Sequence, residues 1–223
     1  MHTKLCGIVI TSYDEIDEFA RFYNQNCNFG VVYALPQLIN AVVVFRAHIN
    51  KRFKIYSTID YPDGKNNGID KFKGLNVDVF MVDGYDVVLG PNHSSGSVAA
   101  ETSNIVSFIR KMVNPVTEVC FTINRSKLCD DKTRAYAAAI EKSAANKIKL
   151  EASTNVQSSK ACFKSHLDTI NIIREVCGTP IAVCGNVNKK IYDEINAGEM
   201  VFSVKQYIAF VKSCQQASHI NGA

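Results

Sequence analysis

Residues 131–152 read DKTRAYAAAIEKSAANKIKLEA and contain both kinds of secondary structure that decide the fold. The alanine-rich part, from Asp131 to Ala145, predicts a helix capped by Asp130 or Asp131, because aspartate is a favoured N-cap residue. The part from Lys147 to Ala152 alternates charged and apolar side chains, which predicts a strand with two different faces. A helix followed directly by a strand is the basic unit of an α/β fold.

The same alternation continues in both directions along the chain. Short apolar runs predict strands at Leu5–Ile10, Gly30–Ala34, Lys54–Ile59, Val77–Val82, Glu118–Ile123, Lys147–Ala152, Pro180–Cys184 and Met200–Val204. Segments of helical period predict helices at Asp14–Asn24, 36–48, Gly68–Phe72, Ala99–Val113, Asp131–Ala145, His166–Val176, Lys189–Ala197 and Gln206–Gln215.

Eight strand–helix units predict the overall architecture. Apolar strands that alternate with amphipathic helices favour parallel strands joined by crossover helices. Eight units in 223 residues predict a single (β/α)8 TIM barrel domain over residues 1–223, a fold of roughly 250 residues in most proteins. A doubly wound open sheet is the alternative, but Gly7–Thr11 lacks the glycine-rich turn that usually follows its first strand.

Composition excludes several classes of protein. Apolar residues make up 47% and charged residues 21%, as in folded globular chains. The 25 basic and 21 acidic residues give a net charge of +4 that is dispersed along the chain, so we expect no nucleic-acid partner. No apolar stretch approaches the roughly 20 residues that span a bilayer, and the first residues do not resemble a signal peptide, so we expect no membrane partner.

The eight cysteines predict thiols rather than a disulfide scaffold. A chain of this length does not need disulfides for stability, and no secretory signal is apparent, which favours a cytoplasmic location. No CxxC pair occurs and the five histidines lie far apart, so no zinc site of standard spacing is predicted.

In a barrel of this type, active residues lie at the C-terminal ends of the strands and in the loops that follow. This rule selects polar and reactive residues from strands three to eight. They are Asp60, Asp63, Asp83, Asn124, Arg125, Lys149, Glu151, Ser153, Thr154, Cys184, Gly185, Asn186 and Ser203.

Lys149 is the candidate nucleophile in this set. Strand parity places it on one face with Lys147 and Glu151, opposite the apolar Ile148 and Leu150, so these charged residues should face the barrel axis. A partly desolvated lysine has a lowered pKa, and its neutral amine can form a Schiff base. The alternative is that Lys147 begins the strand in solvent and Lys149 simply pairs with Glu151.

Five segments, in this order, carry a family resemblance. Ile59–Gly64 is similar to an Asn-Phe-Pro-His-Gly turn, Val77–Val82 to Ala-Asp-Glu-Val-Asp-Val, Ile123–Leu128 to Ile-Glu-Thr-Gly-Glu-Leu, Ala144–Lys149 to Gly-Ala-Asp-Phe-Ile-Lys, and Ser153-Thr154 to part of Thr-Ser-Thr-Gly. Together, over about residues 30 to 210, they resemble the deoxyribose-phosphate aldolase family of class I aldolases, which are (β/α)8 barrels. In that family the lysine that corresponds to Lys149 forms the imine.

The chain departs from the family pattern at several positions around that lysine. The strand-four aspartate of the family falls on Met81, its second lysine on Cys184 and its strand-five glutamate on Asn124. The glycine after Ser-Thr is Asn155, and Glu151 replaces a small polar residue. The imine lysine is therefore retained while most of the residues that tune it are not.

The resemblance implies a set of roles. Lys149 would form the imine with the donor carbonyl, and Asp83 or Glu151 would shuttle protons with a water. Asp83, which has the parity of Met81, should face the mouth of the barrel, whereas Asp78 should not. Gly185, Asn186 and Ser203, the last similar to the family's serine after strand eight, would hold a phosphate or polar tail. The alternative for Gly185 is a simple turn glycine.

Three functions remain open from the sequence. The first is a divergent class I aldolase, an aldehyde-lyase that makes or breaks a carbon–carbon bond of a small aldehyde or (deoxy)sugar phosphate, with no metal or organic cofactor because the protonated imine is the electron sink. A catalytically silent barrel that binds a sugar phosphate or a protein is the second, since fold alone does not carry function. The third is a transaldolase-like enzyme. A homo-oligomer is compatible with each.

Overall fold

The computed structural model of the chain describes residues 5–23, 29–59, 77–83, 95–124, 128–151, 159–185 and 197–220. Eight strands form a closed barrel in sequence order, and every neighbouring pair is parallel, including the closure of the last strand on the first. The strands are β1 (Leu5–Ile10), β2 (Val31–Ala34), β3 (Lys54–Ile59), β4 (Val79–Asp83), β5 (Glu118–Asn124), β6 (Lys147–Glu151), β7 (Ile181–Cys184) and β8 (Glu199–Ser203). The predicted (β/α)8 barrel is thereby confirmed.

Helices surround this barrel on the outside. In the described ranges they are α1 (Tyr13–Phe22), α2 (Ile39–His48, preceded by a 3₁₀ turn at Pro36–Leu38), α3 (Ser95–Met112), α4 (Asp130–Lys142), α5 (Ser159–Arg174) and α6 (Val204–Ile220). The predicted helices at Gly68–Phe72 and, but for its last residue, Lys189–Ala197 lie outside the described residues.

Several element boundaries differ from the predicted ones. Cys129 rather than an aspartate occupies the N-cap of α4, and Asp130 and Asp131 lie in its first turn, where carboxylates favour the positive end of the helix dipole. Helix α5 begins at Ser159, seven residues before the predicted start, because no proline or glycine interrupts that stretch. Strand β8 begins at Glu199, one residue early, which brings a charged residue into the barrel wall.

Alternate side chains of the strands enter two separate apolar clusters. One set packs outward against the helices in a large cluster that includes Ile8, Phe80 and Phe121. The other set fills the barrel interior with Val31, Tyr33, Tyr56, Val79, Met81, Cys120, Ala182 and Val201. Strand parity therefore assigns Lys147, Lys149 and Glu151 to the inside, since Ile148 and Leu150 belong to the outer cluster.

The cysteines and the helices bear on two predictions about the whole chain. The side chains of six of the eight cysteines are described, and none of those six forms a disulfide. No helix within the described ranges is long and apolar enough to cross a membrane.

Candidate active site

Lys149 lies inside the barrel, with 6% of its surface exposed. Its backbone pairs with Thr122 of β5 and Ala182 of β7. The ammonium nitrogen sits 5.1 Å from the centre of the Tyr33 ring and donates a hydrogen bond of 3.0 Å to Oε1 of Glu151. Because Glu151 is the last residue of β6, this contact directs the lysine toward the C-terminal mouth of the barrel. The Glu151 side chain is 37% exposed there.

The surroundings of Lys149 favour the protonated amine. Burial acts to lower the pKa of this ammonium, but the charges of Cys184 and the hydrogen-bonded Glu151 raise it, and the net result is a pKa above the ordinary value for lysine. This corrects the expectation from the sequence that desolvation would lower the pKa of Lys149. A base must therefore remove a proton before the amine can attack a carbonyl, and Glu151 is in contact to do so.

Three other nucleophilic side chains in the interior, those of Cys120, Tyr33 and Tyr56, are held in their neutral forms. Burial raises the pKa of the Cys120 thiol to about 12. The pKa values of the Tyr33 and Tyr56 hydroxyls are also raised, first by burial and then by the charge of Glu199. Among these groups only Lys149 combines a reactive atom with an adjacent, partly exposed carboxylate.

Asp83 is the exposed last residue of β4. Its parity is that of Val79 and Met81 in the inner cluster, and its backbone pairs with Thr122, which pairs in turn with Lys149. Two strand spacings of about 4.8 Å therefore separate the Asp83 and Lys149 backbones. Burial raises the pKa of Tyr136, which lies in the outer layer, and the Asp83 charge raises it further. Asp83 is thus farther from the amine than Glu151, and its role stays a prediction.

The residues predicted to hold phosphate lie at the ends of β7 and β8. Gly185 adopts a φ of 139°, a conformation that side chains rarely tolerate. Asn186 lies outside the described residues. Ser203 and Gln206 form a reciprocal cap on α6: the serine hydroxyl accepts from the Gln206 N–H, and the serine N–H donates to the Gln206 side chain. A phosphate at this helix end would have to displace the Gln206 side chain.

A second charged group lies deeper in the barrel, and reasoning from the sequence missed most of it. Glu199 is 2% exposed, accepts a 2.6 Å hydrogen bond from the Tyr33 hydroxyl and forms an ion pair with Lys147. The Lys147 ammonium also lies 4.8 Å from the centre of the Tyr56 ring. Tyr33 therefore contacts Lys149 with its ring and Glu199 with its hydroxyl. It connects the Lys149–Glu151 pair with the Lys147–Glu199 pair. Lys147 is therefore largely buried, which contradicts the interpretation that it begins the strand in solvent.

Gly7 makes room for this network. A Cβ at Gly7 would approach Oε1 of Glu199 to 2.7 Å and Cε2 of Tyr33 to 2.9 Å. Both distances are closer than side chains tolerate, so the small residue on β1 is needed for the packing of Glu199 and Tyr33. The inner parity of Glu199 with Val201 and Ser203 is the sequence signal that could have revealed it.

His166 of α5 is a buried imidazole behind β7. It is 4% exposed and hydrogen-bonded to the backbone of Cys184. Its Nε2 atom has no hydrogen-bond partner among the described residues. Burial lowers the pKa of His166 to about 4, so the ring is neutral near pH 7.

We expect His166 to make the fold sensitive to acid. Its folded pKa of about 4 lies below the roughly 6.5 of an unfolded histidine, so the unfolded state binds the proton first. The contribution of the neutral imidazole to the free energy of unfolding should be fully present above about pH 6.5. That free energy should fall by about 3 kcal/mol as the pH drops toward 4. Urea unfolding at several pH values measures this slope. His166→Asn should flatten it, whereas the matched change His48→Asn at an exposed position should not; equal slopes in all three proteins would contradict the assignment.

Within the described residues, no group of three or more histidine, cysteine, aspartate or glutamate side chains is arranged to hold a metal ion.

Comparisons with known proteins agree with the architecture. No family model matches the chain, and no curated protein matches it significantly in sequence. Among solved structures, the tetrameric deoxyribose phosphate aldolase from Aeropyrum pernix aligns with a TM-score of 0.65 at 12% identity, over 94% of this chain and 90% of that one. Tryptophan synthase subunit alpha from Campylobacter jejuni aligns with a TM-score of 0.58 at 11% identity, over 95% of each chain.

A third structural neighbour, described as an aldolase, has a TM-score of 0.64 at 13% identity and covers 96% of each chain. Identities this low establish the fold alone. The chain is therefore a TIM barrel.

Proposed function

We propose that this chain is a class I, Schiff-base aldolase that makes or breaks a carbon–carbon bond of a small (deoxy)sugar phosphate. The observation that carries the proposal is the Lys149 amine, which is buried inside the barrel and hydrogen-bonded at 3.0 Å to the partly exposed Glu151 carboxylate. A lysine nucleophile with an adjacent base is the minimum that imine chemistry requires. The neighbouring aldolase structures support the assignment at the level of the fold.

The proposed reaction begins with proton transfer from the Lys149 ammonium to Glu151. The neutral amine adds to the donor carbonyl, and loss of water gives a protonated imine. In the cleavage direction a base removes the proton from the substrate hydroxyl, the carbon–carbon bond breaks, and its electron pair moves into the imine to form an enamine. Protonation of the enamine carbon and hydrolysis by water then release the second product and restore Lys149. Glu151, with Asp83 as the second candidate, would move these protons.

The phosphate of the substrate would lie at the loops after β7 and β8. Gly185, Asn186 and Ser203 remain our proposed ligands for it, supported by the φ of 139° at Gly185 and by the position of Ser203 at the start of the 17-residue helix α6. Backbone N–H groups at a helix N-terminus favour anions. Because Gln206 caps this end, the phosphate would compete with a side chain, which predicts weak affinity for the tail.

Replacing Glu151 should separate its two effects. Glu151 raises the pKa of Lys149, so Glu151→Gln should move the rise of the imine-forming rate to lower pH. As the proton acceptor is lost, the plateau rate at high pH should fall by roughly 10²- to 10⁴-fold. Pre-steady-state imine formation with 2-deoxyribose 5-phosphate across pH 6 to about 10 measures both.

Asp83→Asn provides the matched comparison for that experiment. A fall of the plateau in Asp83→Asn with no fall in Glu151→Gln would transfer the proton-shuttling role to Asp83. If the midpoint of the pH profile of imine formation does not move in Glu151→Gln, the carboxylate does not hold the proton on Lys149.

One observation favours a second candidate, a barrel that binds a sugar phosphate or a protein without turnover. Lys149 and Glu151 form an ion pair, and the raised pKa of Lys149 makes the amine a poor nucleophile at rest. Met81 and Cys184 occupy the positions at which the resembling family has its aspartate and second lysine. Binding of 2-deoxyribose 5-phosphate without any imine, at any pH, would select this candidate.

Assembly and location also belong to the proposal. The Aeropyrum pernix aldolase is described as tetrameric, and we propose that this chain also forms a homo-oligomer, which sedimentation equilibrium would test. A cytoplasmic location stays a prediction.

A further inference from the structure

Tyr33 crosses the interior of the barrel to reach the Lys149 amine. Because the eight strands close in sequence order, β2 and β6 lie on opposite sides of the barrel. The buried Tyr33 side chain of β2 nevertheless reaches β6, where the Lys149 ammonium lies over its ring, 5.1 Å from the ring centre. The negative face of an aromatic ring attracts a cation within about 6 Å of its centre. The ring is therefore a direct partner of the Lys149 charge.

Two contacts fix the orientation of this ring. The Tyr33 hydroxyl donates a 2.6 Å hydrogen bond to the buried carboxylate of Glu199. The ring also packs against that of Tyr56, with 4.8 Å between the ring centres and 44° between the ring planes. Neither contact involves Lys149, so the ring keeps its orientation whether or not Lys149 carries a proton.

The hydrogen bond to Glu199 also makes the Tyr33 ring a better partner for a cation. A hydroxyl that donates to a carboxylate forms a charge-assisted bond and carries extra negative charge on its oxygen. Because that oxygen is conjugated with the ring, the ring face becomes more negative. The Glu199 carboxylate itself is neutralised by its ion pair with Lys147. The attraction for Lys149 therefore comes from the ring rather than from the carboxylate behind it.

Other groups that act on Lys149 lie on its own strand and on the two strands beside it. Burial lowers the pKa of Lys149, and the charges of Cys184 on β7, Glu151 on β6 and Cys120 on β5 raise it. The hydrogen bond to Glu151 uses one of the three N–H donors of the ammonium. The Tyr33 ring attracts the same ammonium from the far side of the barrel, and unlike a carboxylate the face of a ring cannot accept the proton.

We propose that Tyr33 is a positioning residue, which holds the Lys149 side chain over its ring and stabilises positive charge on the Nζ atom. Its role at the free ammonium does not depend on the proposed reaction. Its role at the protonated imine rests on the proposed function, because that imine would carry its charge on the same nitrogen. A ring that keeps the imine protonated would maintain the electron sink into which the carbon–carbon bond breaks.

A pH titration of the ligand-free chain tests the role at the ammonium. NMR of the full chain, isotope-labelled at the lysine ε-carbon and assigned with Lys149→Met, follows the protonation of Lys149 from pH 7 to about 11. Tyr33→Leu should raise the acid dissociation constant of Lys149 by about three- to thirtyfold, because the charged form loses the attraction of the ring. Tyr56→Leu is the matched control. It removes the neighbouring buried ring, which lies under Lys147, and should leave the constant of Lys149 within about twofold of wild type.

A second pair of variants changes the ring without emptying its site. Tyr33→Phe keeps the ring and its packing and should raise the dissociation constant of Lys149 by no more than about threefold. A trifluorinated phenylalanine at the same position should raise it further, because fluorine withdraws negative charge from the ring face. These two proteins answer the question even if Tyr33→Leu does not fold, and a residue that only fills space would not distinguish them.

The role at the imine has a separate measurement. Borohydride reduces a protonated imine much faster than a neutral one, so the reduction of the acetaldehyde imine slows at the pH where that imine loses its proton. This pH should be lower with the trifluorinated ring than with Tyr33→Phe. If the wild type forms no imine while the titration of Lys149 depends on the ring, the proposed function fails but the role of Tyr33 at the ammonium stands.

Two results would overturn the proposal while leaving the proposed function intact. The first is one dissociation constant of Lys149 for the wild type, Tyr33→Phe and the trifluorinated protein, which would mean that the ring exerts no attraction. The second is an equal rise in Tyr33→Leu and Tyr56→Leu, which would assign the effect to loosened packing of the barrel interior.

Discussion

Glu199→Gln should destabilise the fold by about 3–5 kcal/mol, a large part of the 5–15 kcal/mol that holds a typical domain together. Glu199 is 2% exposed and neutralises Lys147 inside the barrel. The amide that replaces it can still accept from Tyr33 but leaves the lysine charge buried without a counter-charge. Free energies of unfolding from urea titrations of the two proteins measure the loss.

Two companion variants make this prediction specific. Glu118→Gln removes the carboxylate of an ion pair at the exposed end of the barrel, where side chains are 50% and 34% exposed, and should cost less than about 1 kcal/mol. A triple variant, Lys147→Met, Glu199→Leu and Tyr33→Phe, removes every polar group of the network and should recover most of the stability. Similar losses of unfolding free energy in Glu199→Gln and Glu118→Gln would show that the buried pair stabilises the fold no more than the exposed pair does.

The barrel itself could be predicted from the sequence because its signal is periodic and repeated. Eight short apolar runs alternate with helical segments, and errors at a single boundary do not change the count. The inward direction of Lys149 also followed from parity, since Ile148 and Leu150 had to face the helices.

The electrostatics of the site could not be predicted in the same way. Whether burial or neighbouring charge controls the pKa of Lys149 depends on distances between strands that are far apart in sequence. Glu199 lies 166 residues from Tyr33, yet their side chains are 2.6 Å apart. The sequence predicts that β8 begins at Met200, one residue after its actual start at Glu199. This one-residue difference leaves the Glu199 carboxylate out of the candidate residues.

Lys149→Met should abolish carbon–carbon bond cleavage, with a loss of activity on the order of 10⁴-fold or more, because within the described residues no other group hydrogen-bonded to Glu151 can form the imine. The fold should persist, since Glu151 is partly exposed and tolerates the loss of its partner. Steady-state cleavage of 2-deoxyribose 5-phosphate, together with circular dichroism, measures both.

The choice of control matters for this variant. Lys147→Met is unsuitable because it leaves Glu199 buried without its counter-charge. Lys54→Met, at the other end of the barrel, removes a strand lysine from an exposed pair and should keep full activity. Activity in Lys149→Met equal to that in Lys54→Met would remove Lys149 from the reaction.

Reductive trapping tests the central claim most directly. The wild-type chain is incubated with limiting acetaldehyde and borohydride, and intact mass and peptide mapping then locate the adduct. We predict a single reduced adduct on the peptide that contains Lys149, formed faster as the pH rises and absent in Lys149→Met. Adducts spread over exposed lysines, with none on Lys149 at any pH, would contradict the Schiff-base assignment and leave a barrel that binds its ligand without chemistry.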